Sequence, residues 1–164
     1  MYFYLDGYNL LFNLMGEEKS LSSQRQTLIR FLQKQFVVRQ IKGTLVFDGA
    51  RKREEESGLS YRSPLEIVYA PKGQSADAYI IEQIAIDMAP KQIVVVTNDR
   101  ELYRQVRALG AQGQGIRTFI QWLKKKGAKK KTRRVQDSPQ NIDRLLKIFE
   151  ERLKQGPSEE DPSF

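Results

Sequence analysis

The stretch Gln92-Ile93-Val94-Val95-Val96-Thr97-Asn98-Asp99 decides the architecture. Its run of four β-branched residues, Ile93 to Val96, predicts a strand, and an aspartate follows closely. Three other apolar runs repeat the arrangement. Tyr2–Leu5 runs into Asp6, Thr44–Phe47 into Asp48, and Leu65–Tyr69 leads toward Asp77 beyond a Pro71-Lys72-Gly73 break.

Helical patterns lie between these runs. Ser20 or Ser22 can cap a long helix whose apolar positions Leu21, Leu28, Ile29, Leu32, Phe36 and Val37 recur near 3.6 residues, closed by Lys42-Gly43. Ser75 caps a second through about Ala89, with Ile80, Ile81, Ile84 and Met88 as its inner stripe and Pro90 as its stop. Asn98 with Glu101 three residues on predicts a capping box for a third helix, which ends at Gly110. Ala111 to Gly115 has room for a short edge strand. A further helix starts near Arg117, carrying Phe119, Ile120, Trp122 and Leu123.

Strand and helix alternating in this way predict an α/β three-layer sandwich with a mainly parallel sheet of four to five strands. Ligands of such sheets bind outside the carboxyl ends of the strands, near a topological switch point. The same rim is where Asp6, Asp48, Asp77 and Asp99 gather. Any one of them has a plainer reading as a turn residue or a helix cap. Four on one rim repel one another unless a cation neutralises them.

The chain of 164 residues contains no histidine and no cysteine. Carboxylates without nitrogen or sulfur ligands suit hard cations such as Mg²⁺ or Mn²⁺. A histidine general base, a cysteine nucleophile and an ordinary zinc site are excluded. Mg²⁺ or Mn²⁺ held by carboxylates can activate a water and stabilise the leaving oxygen of a phosphodiester. A haloacid-dehalogenase-type phosphatase wants an aspartate where Tyr8 stands, a receiver domain wants an acidic pair beside the first strand, and Walker A and GxGxxG loops are missing.

The net charge of +8 favours a polyanionic partner. It is clustered: Lys124 to Arg134 holds eight basic residues in eleven, and Arg51-Lys52-Arg53 sits in a polar loop from Ala50 to Ser63, next to Glu54-Glu55-Glu56. Ser138-Pro139 opens a last amphipathic helix with Ile142, Leu145, Leu146, Phe149 and Leu153 on one face. Gln155 to Phe164 is acidic, rich in Pro and Ser, and expected to be disordered. No apolar run nears the roughly 20 residues needed to span a bilayer. Without a signal-peptide pattern or cysteine, a soluble cytoplasmic protein is expected.

The segments Leu5-Asp6-Gly7-Tyr8-Asn9-Leu10-Leu11, Val46-Phe47-Asp48-Gly49, Ser75-Ala76-Asp77 and Val96-Thr97-Asn98-Asp99 together resemble the motifs of YacP-like NYN domains, within the PIN-like ribonuclease superfamily. The resemblance implies a Rossmann-like PIN fold, with residues 1–123 as the nuclease domain, 124–154 as a basic helical extension and 155–164 as the tail. It implies metal-dependent endonucleolytic cleavage of RNA, in some members of mRNA on the ribosome. Asp6, Asp77 and Asp99 carry over as metal-binding carboxylates, and Asp48 as an outer contact. Asn9 carries over as the group that orients a water or a phosphate, and Arg117 as a phosphate holder. Relatives often place another carboxylate one helical turn after Asp77. Here Ile81 stands there, with Glu82 one residue later and turned by about 100°.

Lys124, Lys125, Lys126, Lys129, Lys130, Lys131, Arg133 and Arg134 are expected to bind the phosphates of mRNA or ribosomal RNA, with Arg51, Lys52 and Arg53 steering RNA from the rim. The alternative for these charges is a solvated surface. Tyr8, Phe12 and Tyr61 are candidates for stacking on bases, although core packing suits Phe12 better. The expected function is a Mg²⁺- or Mn²⁺-dependent endoribonuclease. Its alternatives are a non-catalytic RNA- or ribosome-binding module, and a metal-dependent phosphatase.

Overall fold

A computed structural model describes residues 1–15, 20–49, 64–127 and 139–155. Five strands form one parallel sheet in the spatial order β3-β2-β1-β4-β5. They are β1 (Tyr2–Asp6), β2 (Lys42–Phe47), β3 (Leu65–Tyr69), β4 (Ile93–Val96) and β5 (Gln112–Gln114). Leu5 on the central strand lies beside Leu45 on one side and Val96 on the other. Chain order reverses between β1 and β4, which places the switch point there.

Alternate residues of each strand enter opposite cores. Phe3, Leu5, Leu45, Phe47, Val94 and Val96 face α1 (Gly7–Leu14), α2 (Leu21–Arg39), α5 (Ile116–Gly127) and α6 (Pro139–Gln155). Val46, Ile93 and Val95 face α3 (Ala76–Ile86) and α4 (Arg100–Ala108). Both faces of the sheet are covered, and the expected three-layer α/β sandwich is the observed one.

Several details differ from the sequence reading. The chain enters α1 directly after Asp6, a helix absent from the expected set. Gly43 does not close α2; it lies inside β2, where a Cβ would stand 2.4 Å from the Phe3 carbonyl oxygen and 2.9 Å from the Phe36 ring. Gln40, at φ 53°, caps α2 instead. Val37 is 57% exposed, because it sits one residue off the stripe that buries Leu28, Leu32 and Phe36. Helix α3 stops at Ile86, since the Asp87 carboxylate accepts the Ala89 N–H at 2.7 Å and competes with the helical pattern. Met88, expected in the inner stripe, is therefore fully exposed.

Helix α6 shares the main core. Phe149 is buried edge-on against Phe31, and Leu146 is buried beside it. Gln155, expected as the first residue of the tail, still belongs to this helix.

Candidate active site

All four aspartates stand at the carboxyl rim of the sheet. Asp6 is the last residue of β1, Asp48 follows β2, Asp77 lies in the first turn of α3, and Asp99 caps α4. The fold brings Asp6 and Asp77 into direct contact. A hydrogen bond links the Asp6 and Asp77 carboxyls. Asp6 is pushed up to about 7, by burial first and then by the charges of Asp77 and Asp48, against the Asn9 N–H bond. Asp77 is also raised, by burial first and by Asp99 next, while the bond with Asp6 pulls it down. Two carboxyls in contact share one proton more readily than they hold two charges. Among the described residues, the charges acting on this pair come from aspartates.

The other two carboxylates are engaged with backbone. Asp99 Oδ1 accepts the N–H groups of Glu101 at 2.7 Å and Leu102 at 3.1 Å. Asp48 Oδ1 accepts the Ala76 N–H at 2.6 Å. No group of three or more acidic side chains among the described residues is arranged to enclose a metal ion. The donor chemistry nonetheless fits a hard divalent cation, because the contacting Asp6–Asp77 pair is a negative centre that such an ion would neutralise in place of the shared proton.

Asn9 holds the rim together. Its Oδ1 accepts the Asn98 N–H at 2.8 Å and the Thr97 hydroxyl at 3.4 Å, which ties α1 to the β4–α4 connection. Asn98 was expected as the cap of α4; Asp99 takes that role, and Asn98 reaches elsewhere. Its Nδ2 donates to Asn13 Oδ1 at 3.0 Å and its Oδ1 accepts the Ile116 N–H at 2.9 Å. Asn13, which the sequence reading passed over, also donates to the Asn9 carbonyl at 2.7 Å. The only signal for it is its spacing of four from Asn9, one helical turn.

The remaining expectations divide. Glu82 is exposed and accepts the Gln74 side-chain amide at 2.9 Å, while Ile81 packs against the α3–α4 core. Tyr8 is buried and its hydroxyl is held by Arg25 at 2.9 Å, so its ring is closed to a base. Phe12, expected in the core, is 57% exposed and stacks on Tyr8 at 5.9 Å. Arg117 is exposed at the start of α5, beside a crevice that Gln121, Glu150 and Lys154 also line. Lys124 is paired with Glu150 at 2.8 Å, whereas Lys125 is exposed. Arg51, Lys52, Arg53, Tyr61, Lys129, Lys130, Lys131, Arg133, Arg134 and residues 156–164 lie outside the described residues, as does the Lys126 side chain.

The family model for the YacP-like NYN domain matches residues 3–157. The chain belongs to this family. The matched span includes α6, in agreement with its place in the core. Among solved structures, the crystal structure of Rae1 (YacP) from Bacillus subtilis is similar at a TM-score of 0.63 and 19% identity, covering 94% of this chain and 85% of that one. The crystal structure of a tryptophan-to-leucine mutant of that same protein gives a TM-score of 0.59 at 16% identity, with 94% of this chain and 97% of that one covered. These likenesses establish the shared fold. No curated protein matches the chain. Membership in the NYN family supports a nuclease-type, RNA-related function. Among the described residues, no helix is long and apolar enough to cross a membrane.

Proposed function

We propose that this NYN domain is a Mg²⁺- or Mn²⁺-dependent endoribonuclease acting in the cytoplasm, with mRNA on the ribosome as the substrate its family resemblance favours. The observation that carries the reading is the buried Asp6 carboxyl against Asp77, at the switch point of a parallel sheet and surrounded by further negative charge. Asp6, Asp77 and Asp99 would hold the ion, which when bound supplies an activated water and charge stabilisation at the leaving oxygen. Asn9 fixes the spacing between α1 and the Asp99 loop, and its amide NH₂ orients a water or a phosphate. Arg117, Lys125 and the basic residues at 51–53 and 126–134 hold the RNA backbone without reading its sequence.

Labelled single-stranded RNA incubated with the protein should be cut internally with Mn²⁺ and left intact with EDTA. Asp6→Asn and Asp77→Asn should each abolish cutting while circular dichroism stays that of the wild type. Cleavage at the wild-type rate by the folded double variant would refute the assignment. The caps made by Asp48 and Asp99 favour a second reading, a non-catalytic RNA-binding module, for which RNA would bind but stay whole under both conditions.

A further inference from the structure

The end of β2 grips the connection that leads to Asp77. The Phe47 carbonyl accepts the Ala70 N–H at 2.8 Å, and one residue later Asp48 Oδ1 accepts the Ala76 N–H at 2.6 Å. Both ends of the segment from Ala70 to Ala76 are therefore held by two successive residues of β2 and its exit. Gly49 shows how closely the two pieces of chain approach. A Cβ there would lie 2.1 Å from the Ala70 carbonyl oxygen and 2.5 Å from that of Pro71, so only glycine fits. Within the segment, Gln74 N–H bonds the Pro71 carbonyl at 2.9 Å, and Ser75 Oγ accepts the Ala78 N–H at 3.1 Å.

The first N–H groups of a helix have no partner inside it. Ser75 satisfies Ala78 locally, and Asp48 satisfies Ala76 from across the fold. Ala76 immediately precedes Asp77, so this one bond sets where the Asp77 side chain leaves the helix. A carboxylate at that point also meets the positive end of the α3 dipole. Asp77 lies in the first turn of the same helix, with its carboxylate against the Asp6 carboxyl.

We propose that Asp48 is a positioning residue for Asp77, anchoring the start of α3 through its hydrogen bond to Ala76 and leaving the metal ion to the other aspartates. The proposal rests on the metal-dependent reading of the rim. It makes a chemical distinction. An anchor needs an acceptor oxygen, which asparagine keeps; a metal ligand needs the charge, which asparagine loses.

Asp48→Asn and Asp48→Ala would be compared with the wild type and Asp77→Asn by three measurements: Mn²⁺ affinity by electron paramagnetic resonance, RNA cleavage with Mn²⁺, and hydrogen exchange of the Ala76 amide by NMR. Asp48→Asn should keep Ala76 protected, with affinity and rate within about threefold of wild type, as an outer partner that retains its hydrogen bond should. Asp48→Ala should lose that protection and weaken Mn²⁺ binding by roughly 10- to 100-fold. Loss of Mn²⁺ binding by Asp48→Asn to the level of Asp77→Asn would make Asp48 a ligand and overturn the proposal, as would an Asp48→Ala variant unchanged in all three measurements. If Asp48→Ala does not fold, the isosteric asparagine variant decides alone. A wild type that neither binds Mn²⁺ nor cuts RNA would fail the proposed function instead, and Ala76 exchange would still report whether Asp48 anchors the helix.

Discussion

Asp6 carries a conflict between folding and function. Its carboxyl is raised from the ordinary 3.8 to about 7, with burial as the main cause and Asp77 as the next. The folded chain therefore binds this proton more tightly than the unfolded chain does. The stabilising contribution is complete below pH 3.8 and is lost as pH rises toward about 7. In EDTA, the melting temperature should fall between about pH 4 and about pH 7, and Asp6→Asn should flatten that fall and melt higher at the alkaline end. Mn²⁺ should restore the wild type there, because a cation replaces the proton. Thermal melts across pH with and without the ion test all three. At this scale the aspartates were legible as strand-end residues, and histidine and cysteine chemistry was excluded outright. Which two carboxyls touch was not legible, since that depends on strand order and on the exact pitch of α3.

Among the elements, the connection after β4 is held by side-chain amides. Asn98 bonds the Asn9 side chain, Asn13 and the start of α5 at once. Asn98→Ala would strand the Asn13 oxygen and the Ile116 N–H, and should destabilise the domain by about 1–3 kcal/mol in urea unfolding. The sequence signal was a capping box, which names the right helix start but the wrong capping residue. Asp99 wins because its short carboxylate reaches two N–H groups of α4. Helix α1 was missed because Gly7–Leu14 opens on glycine and spans only eight residues, although its buried Leu10, Leu11 and Leu14 fall at helical spacing. The stripe of α6 was legible, but its burial against Phe31 was not. Phe149→Ala should cost about 3–5 kcal/mol in the same assay, as a core deletion does. A loss under about 1 kcal/mol would mean that α6 is a separable appendage.

The whole molecule sets an acidic rim within a basic chain of net charge +8. With Lys124 paired to Glu150, the proposed phosphate binding would fall to Lys125, Arg117 and the clusters at 51–53 and 126–134. If six to eight of these contact RNA, affinity should drop roughly a thousandfold or more between 50 and 200 mM salt. Filter binding of Asp6→Asn in EDTA measures that slope without cleavage. A nearly flat response would remove the clusters from the interface.

The amino-acid sequence alone determined the parallel α/β class, the set of strands, the aspartate at or beyond each of four of them, and the exclusion of histidine and cysteine chemistry. These follow from local periodicity and composition, which each segment carries by itself. Tertiary structure decided the contact between Asp6 and Asp77, the bond from Asp48 to Ala76, the Asn9–Asn98–Asn13 lock and the burial of α6. Each of these joins residues distant in the chain, and strand order and helix docking bring such residues within hydrogen-bond or packing range. Local pattern says which face a side chain occupies; only the packed sheet says which neighbour it meets there.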